Sequence, residues 1–155
     1  AHERILYDAF ASGSEESQRL IVPHEIEADD SSTGFLEETA KKLARYGIEI
    51  ERNDDGGWAI AALPSRYTGL EKIIVEFLES FNGTEENLER DLFSTMSCRS
   101  AVKDGDPLDA TTASRLAAQA FSLPEARCPH GRPLWHRITR GRLFELVGRA
   151  PSSGE

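Results

Sequence analysis

The stretch of sequence that decides the fold class is residues 48–63, IEIERNDDGGWAIAAL. Ile48 and Ile50 alternate with two glutamates, which is the pattern of a half-buried strand. The run Asn-Asp-Asp-Gly-Gly then separates this segment from the apolar run at residues 58–63. Because turn residues between two strand-like runs are typical of a β-hairpin, the sequence predicts one here.

Helical periodicity flanks this hairpin on both sides. Apolar residues recur every three to four positions and predict helices over about residues 2–11, 35–46, 71–81 and 86–103. Asp109 or Thr111 is expected to cap a helix that runs through Phe121, and Thr139 to cap a last helix through Val147. Short strands are expected at residues 20–22, closed by Pro23, and at residues 134–138. This mixed order lacks regular βαβ alternation and predicts the α+β class.

Composition and charge exclude several classes of protein. The 155 residues suit one domain or two small lobes, and no apolar run is long enough to span a membrane. The net charge of −9 argues against nucleic-acid binding over the whole surface. Residues 1–93 carry 21 acidic and 9 basic side chains, whereas residues 94–155 carry 6 acidic and 9 basic. Any nucleic acid is therefore expected at the C-terminal third, and the presence of only two cysteines predicts a reduced, cytoplasmic setting.

A cysteine and a histidine two residues apart, Cys128 and His130, could bind one metal ion, because alternate residues of an extended loop point the same way. The simpler interpretation is a buried thiol beside a surface histidine in a rigid turn. Cys98 is equally explained as a small core residue of a helix. Glu3 and Asp8 lie about 140° apart on a helical wheel, so they are not expected to bind the same ion.

An extended segment at residues 18–23, QRLIVP, permits two interpretations. A glutamine, a group of aliphatic residues and a proline form a peptide that a partner protein could bind in its pockets. The same residues could also be a core strand that ends at proline.

Taken together, five segments resemble the C-terminal domain of the MutL mismatch-repair family, in its endonuclease-bearing branch. Residues 1–8 are similar to the downstream half of the family motif Asp-Gln-His-Ala-x-x-Glu-x-x-x-x-Glu, and residues 97–103 to its Ala-Cys-Arg motif. Residues 128–133 match the motif Cys-Pro-His-Gly-Arg-Pro without departure, and residues 147–149 stand where the family has Phe-x-Arg. Residues 18–23 are similar to the motif by which the family binds the replicative sliding clamp.

The resemblance implies a set of functional residues. Its metal ligands would be Glu3, Cys98, Cys128 and His130, which bind zinc, whereas manganese supports nicking in the family. Glu3 and Arg132 would be catalytic. The clamp-binding residues would be Gln18, Leu20, Ile21, Val22 and Pro23. The DNA backbone would be held by Arg132, Arg137, Arg140 and Arg142.

The sequence also departs from the family pattern. The opening Asp-Gln-His-Ala would precede Ala1 and is not in this sequence, so we expect the chain by itself to lack nicking activity. Ser97 replaces the alanine of the second motif, Asp8 the second glutamate of the first, and Val147 the aromatic of the last. The ATP site of the family belongs to an N-terminal domain outside this sequence.

The resemblance implies a two-lobed α+β fold, in which residues 1–16 and 94–155 form a dimerisation lobe of helices and a short sheet. Residues 17–93 would form an inserted external, regulatory lobe. The implied function is that of a homodimeric, metal-dependent nicking endonuclease in DNA mismatch repair. Its partners would be double-stranded DNA, the sliding clamp and a mismatch-recognition protein of the MutS type, with recruitment to the nucleoid during repair. The alternative is a non-catalytic dimerisation and clamp-binding module with a structural zinc site.

Overall fold

The computed structural model describes residues 1–13, 16–28 and 32–148. Within these ranges it has six α-helices and one three-stranded antiparallel sheet, which confirms the α+β class. In chain order the elements are α1 His2–Ala11, β1 Ser17–Ile26, α2 Thr33–Ala44, β2 Glu49–Arg52, β3 Trp58–Pro64, α3 Glu71–Ser80, α4 Leu88–Ser100, α5 Ala110–Ser122 and α6 Arg140–Leu146. The predicted helices are confirmed to within a few residues at each end.

The predicted hairpin is confirmed and supplies the central strand of the sheet, β3, and one edge strand, β2. Strand order is β1-β3-β2, and both neighbours pair with β3 antiparallel. Every residue of β3 is buried, whereas Ile50 is the one buried residue of β2. This difference follows the sequence, since a continuous apolar run suits a strand covered on both faces and an alternating run suits one covered on a single face. Gly56, at a φ of 90°, makes the turn, and the amide of Asn53 donates to the carbonyl of Gly57 at 2.8 Å.

β1 is an edge strand, and its register with β3 shifts between Arg19 and His24. The prediction that this strand ends at Pro23 is wrong, because pairing resumes at His24 and continues to Ile26. Proline has no amide hydrogen to donate and is accepted at a bulge of an edge strand, which is its position here.

The core joins the sheet to helices α1 to α4. Phe10 of α1 packs edge-on against Tyr67 at a ring-centroid distance of 5.3 Å, and the Tyr67 hydroxyl donates to the Phe10 carbonyl at 2.9 Å. The buried core comprises Phe10, Ile26, Leu36, Leu43, Ile48, Ile50, Trp58, Ile60, Leu63, Tyr67, Ile74, Phe77, Leu78, Leu88, Leu92, Phe93 and Met96. The boundary that the sequence predicts at residue 94 lies inside α4, and the division into two lobes stays a prediction.

The segment after α4 leaves most of its side chains exposed. Asp109 caps α5 by accepting from the amide of Thr112, and Thr139 caps α6 by accepting from the amide of Arg142, as the sequence predicts. The predicted strand at residues 134–138 is wrong. No described strand pairs with it, and the nearest ladder contact is an isolated bridge between Arg127 and Pro133. Strand-like composition without a neighbouring edge to pair with leaves a segment irregular.

We expect the change Tyr67→Phe to lower the free energy of unfolding by about 1–3 kcal/mol, because the buried carbonyl of Phe10 loses its hydrogen bond to this side chain. Urea denaturation of the purified chain measures the effect. The matched control is Tyr7→Phe on α1, since the structure gives the half-buried Tyr7 no hydrogen bond through its hydroxyl to a described residue. Equal destabilisation by the two changes would contradict this role for the Tyr67 hydroxyl.

Candidate metal centre

A tight turn presents Cys128 and His130 on one loop. The amide of Gly131 donates to the Cys128 carbonyl at 2.8 Å, and the amide of Cys128 donates to the Arg132 carbonyl at 2.9 Å. Gly131 has a φ of 81°, a conformation that favours glycine, and Pro129 supplies the fixed φ suited to the second position of a turn. We call residues 126–134 the Cys128 loop. The proline and the glycine of this segment are therefore explained by local backbone geometry.

Three potential ligand atoms converge where this loop meets α1. They belong to Glu3, Cys128 and His130 and lie within 4.8 Å of one another. We call these residues the ligand cluster. Oε1 of Glu3 lies 2.9 Å from Nδ1 of His130, a contact that lacks hydrogen-bond geometry and is an ion pair only when the imidazole is protonated. This oxygen is buried and accepts no hydrogen bond from the described residues, and the Cys128 side chain is also buried.

The chemistry of these donors fits a metal ion of the zinc type. A thiolate, an imidazole and a carboxylate are all established zinc ligands, and three protein ligands are the usual number at a catalytic zinc. A buried carboxylate oxygen without a hydrogen-bond partner is costly, and a bound cation would satisfy it. Manganese prefers oxygen and nitrogen ligands, so the thiol of Cys128 makes zinc the better match.

Cys98, the fourth predicted ligand, lies outside the three-residue ligand cluster. It is exposed on α4, where it lines a cavity of about 200 Å³ together with Ser94, Thr95, Arg99 and His130. The Ser94 hydroxyl lies 3.4 Å from Nε2 of His130 in this cavity. His130 thus has one ring nitrogen facing Glu3 and the other facing the helix of Cys98. A ligand role for Cys98 stays a prediction.

The remaining predicted polar residues occupy different positions. Asp8 does not join the ligand cluster, because its two carboxylate oxygens both accept from Nε of Arg4 at 2.8 and 2.9 Å. Arg132 is exposed on the Cys128 loop. Arg137, Arg140 and Arg142 are also exposed; the guanidinium of Arg140 lies over the Phe144 ring, and Arg142 pairs with Glu145 at 2.8 Å. Arg149 lies outside the described residues.

Sequence reasoning missed the contacts of His2 and Arg4, the neighbours of Glu3. Nδ1 of His2 accepts from the amide of Val102 at 3.0 Å, and burial lowers the pKa of this imidazole. Arg4 donates to Glu125 at 3.2 Å and to the carbonyl of Arg127 at 3.5 Å. The spacing of Arg4 and Asp8 by four residues on a helix was a signal for their ion pair. No local pattern in the sequence pointed to the contacts with residues 102, 125 and 127.

The predicted clamp-binding segment lies on the bulged part of β1. Ile21 and Val22 are 102% and 72% exposed, and Gln18 and Pro23 are exposed as well. Leu20 differs, since it is half-buried and packs against the core. The segment therefore displays two large aliphatic side chains on an edge strand.

Most other large apolar side chains that the described residues leave exposed follow α4. They are Val102, Leu108, Phe121, Ile138, Leu143, Leu146 and Val147. On α6, Leu143, Leu146 and Val147 recur at helical spacing, and no residue of this helix is buried. Among the described residues, no helix combines the length and the apolar character needed to cross a membrane.

Comparison with known proteins identifies the family of this chain. The family model described as MutL C terminal dimerisation domain matches residues 1–108. The DNA mismatch repair protein MutL of Treponema pallidum (strain Nichols) is 34% identical over 150 residues, which are 96% of this chain and 24% of that protein. Those of Methanocorpusculum labreanum and Borreliella afzelii (strain PKo) are 33% and 27% identical, again over 96% of this chain and 27% and 25% of their own lengths.

This chain therefore spans about a quarter of the length of the curated relatives it matches. The family model covers more than half of the chain and begins at the helix that carries Glu3. The chain belongs to the MutL C-terminal dimerisation domain family of DNA mismatch repair proteins.

Proposed function

We propose that this chain is a homodimeric, zinc-binding domain that contributes a metal site to DNA nicking by a longer mismatch-repair protein. The observation that carries the proposal is the convergence of Glu3 with Cys128 and His130, which are more than 120 positions away in the sequence. A thiol, an imidazole and a carboxylate with one buried oxygen form a donor set that suits zinc. The local turn of the Cys128 loop then serves to present two ligands to the helix that holds the third.

The roles of the residues follow from their charges. When bound, a divalent metal lowers the pKa of a coordinated water and stabilises charge on a phosphate oxygen. Glu3 and the Cys128 thiolate would supply negative charge to the ion, and neutral His130 a nitrogen ligand. Exposed Arg132 lies on the same loop, where it is available to a phosphate. Because Cys128 and His130 must lose protons to bind the metal, its affinity should rise with pH.

We expect the purified chain to bind about one zinc ion per chain, with a Zn–S distance of about 2.3 Å by X-ray absorption. Replacing both Cys128→Ser and His130→Ala removes two of the three ligands that converge in the structure, so zinc should be lost on dialysis. Elemental analysis measures the zinc content. A double variant that keeps its zinc would refute the site.

His136→Ala is the control for this measurement, because His136 is exposed in the same segment and lies outside the ligand cluster. Cys98→Ser separates two coordination schemes. Loss of affinity would add Cys98 to the ligands, whereas unchanged affinity would limit the site to the ligand cluster.

The alternative role, a structural zinc site, shares the same residues and is favoured by the burial of Cys128. Nicking of supercoiled plasmid by a longer protein that contains this domain separates the two roles. A catalytic site predicts that Arg132→Ala abolishes manganese-supported nicking while zinc content is retained. A structural site predicts that this variant nicks no worse than the parent protein.

Dimerisation through α6 is the second part of the proposal. A helix that presents an apolar stripe to solvent with none of it buried is typical of a surface that a partner covers. The stripe lies in the part of the chain that the resemblance assigns to the dimerisation lobe. A second copy is the expected partner, since the family is a dimerisation domain by its description. The matched residues 1–108 end before α6, so only the exposure of its apolar stripe assigns this helix to the interface.

We expect the paired change Leu143→Asp and Leu146→Asp to shift the chain from dimer to monomer, because two carboxylates would be buried in the interface. Sedimentation velocity over a concentration series measures the dissociation constant. The matched control is the paired change Ile21→Asp and Val22→Asp, which places the same two charges on exposed side chains of β1. Identical dissociation constants for all three proteins would exclude α6 from the interface.

Clamp docking is the third part, and the bulge of β1 supports it. An edge strand with two exposed aliphatic side chains and free backbone groups suits an extended peptide that enters pockets on a partner. Gln18 and Pro23 are exposed at the two ends of this segment. Leu20 would contribute less than the sequence suggests, because it already packs against the core.

We expect the paired change Ile21→Asp and Val22→Asp to weaken binding to the replicative sliding clamp by at least about tenfold, since each buried aliphatic side chain contributes about 1.5–3 kcal/mol. Surface plasmon resonance with immobilised clamp measures this. The Leu143→Asp, Leu146→Asp variant is the control, so each pair of substitutions serves as the reference for the other. Clamp binding that survives at full strength would contradict the docking role.

Duplex DNA is the remaining proposed ligand, held by Arg132, Arg137, Arg140 and Arg142. All four arginines are exposed and lie in the third of the chain with the positive balance of charge. Each phosphate contact adds about 0.9 to the salt dependence of log K for duplex DNA, so binding by four arginines should be strongly salt-dependent. The acidic residues 1–93 should keep the affinity low.

A further inference from the structure

The Cys128 loop lies outside the main hydrophobic core. Every member of the core cluster, and every side chain packed against it, comes from residues 6–96. The hydrogen bonds within the loop, such as that from the amide of Leu134 to the carbonyl of Ala126, close it on itself. They do not tie it to α1, where Glu3 lies. The position of Cys128 and His130 relative to Glu3 therefore depends on contacts of the loop with neighbouring helices. On α4, the Ser94 hydroxyl lies 3.4 Å from Nε2 of His130, and α1 contributes a separate set of hydrogen bonds to the loop and its flank.

Arg4 makes those contacts. One guanidinium nitrogen, Nη1, donates to Oε2 of Glu125 at 3.2 Å and to the carbonyl of Arg127 at 3.5 Å. Both partners immediately flank or belong to the start of the Cys128 loop. Because Arg4 follows Glu3 directly, these hydrogen bonds lie one residue from a proposed metal ligand.

Asp8 fixes the Arg4 side chain from the other side. Both of its carboxylate oxygens accept from Nε of Arg4, so the guanidinium is held between a carboxylate of its own helix and the loop. The Arg4 side chain is 17% exposed and that of Asp8 37%, so their contact is partly shielded from solvent, whereas Glu125 is 69% exposed. Hydrogen bonding to Asp8, with a smaller contribution from Glu125, raises the pKa of the guanidinium. A planar group with several donors can bridge three acceptors in this way, whereas a lysine ammonium lacks the same fixed geometry.

We infer that Arg4 is a positioning residue for the metal site: it holds the Cys128 loop against α1 and thereby sets the distance between Glu3 and the pair Cys128 and His130. This inference rests on the proposed function in so far as the positioned groups are metal ligands. Asp8 acquires a role as well. Asp8 stands where the family motif has a glutamate, and it orients Arg4 rather than binding the metal. The shorter aspartate is sufficient for this role because both of its oxygens reach Nε of Arg4.

The first test uses the metal-free chain and the reactivity of its two thiols. Cys128 is buried and Cys98 is exposed, so alkylation by iodoacetamide should modify Cys98 quickly and Cys128 slowly. Arg4→Gln and Glu125→Ala each remove the hydrogen bond between Arg4 and Glu125. The alkylation rate of Cys128 should then rise several-fold while that of Cys98 stays constant. Peptide mass spectrometry resolves the two rates within one sample. Glu125→Ala changes only the loop side of the contact, so it tests the tie even if Arg4→Gln folds poorly.

Arg19→Gln is the matched control. Arg19 donates to both carboxylate oxygens of Glu51 at 2.9 and 2.8 Å, an arginine–carboxylate pair on the sheet and away from the loop. Its loss should leave the Cys128 rate unchanged. An unchanged Cys128 rate in both Arg4→Gln and Glu125→Ala would overturn the positioning role.

The second test adds cobalt(II) alone to each variant and follows the thiolate-to-cobalt charge-transfer band. Loss of a residue that orients metal ligands typically costs about 10–100-fold in metal affinity, and we expect a decrease of this size for Arg4→Gln. The double variant Arg4→Gln, Glu125→Ala should be no weaker than the single variant, because both changes break one contact. If the double variant lost affinity by the product of the two single losses, the two residues would act independently, which would contradict a shared contact. If the parent chain bound no cobalt, the proposed metal function would fail, whereas the thiol rates would still decide the role of Arg4.

Discussion

The burial of β3 on both faces is the constraint on which the rest of the structure depends. All seven residues of this strand are buried, and it pairs with a neighbouring strand at each edge. Its apolar run must be covered by helices, and its position in the centre leaves β1 and β2 as the two edges. Edge position in turn permits Pro23 and the bulge that displays Ile21 and Val22.

Helix α1 connects the hydrophobic core to the metal centre. Phe10 near its C-terminal end packs on Tyr67 immediately after β3, and α1 also packs along α4. The opposite end of the helix then lies next to the Cys128 loop, where Glu3 and Arg4 contact His130 and Glu125. One end of α1 is therefore held by hydrophobic packing and the other by polar contacts. Core stability and metal affinity should respond to different substitutions for this reason.

The segment after α4 contrasts with the rest of the molecule. α5 buries only Ala120 and α6 buries nothing, although both have well-formed N-caps. The N-caps are thus sufficient to begin these two helices, but the described residues pack few side chains against them. The family model that is named for dimerisation ends at residue 108, so a role of the apolar stripe of α6 in dimerisation stays a proposal.

The sequence by itself determined the features that depend on neighbouring residues. The hairpin at residues 48–63 and the helix caps Asp109 and Thr139 were predicted because each rests on local backbone geometry and periodicity. Only the tertiary structure decided which distant groups meet. In the tertiary structure Glu3 lies next to the Cys128 loop, and Cys98 lies on an exposed face of α4. Residues 134–138 have no described strand beside them with which to pair. The contacts of Arg4 are of the same kind: they join residues more than 120 positions apart, and such pairing is set by the packing of α1 rather than by any local pattern.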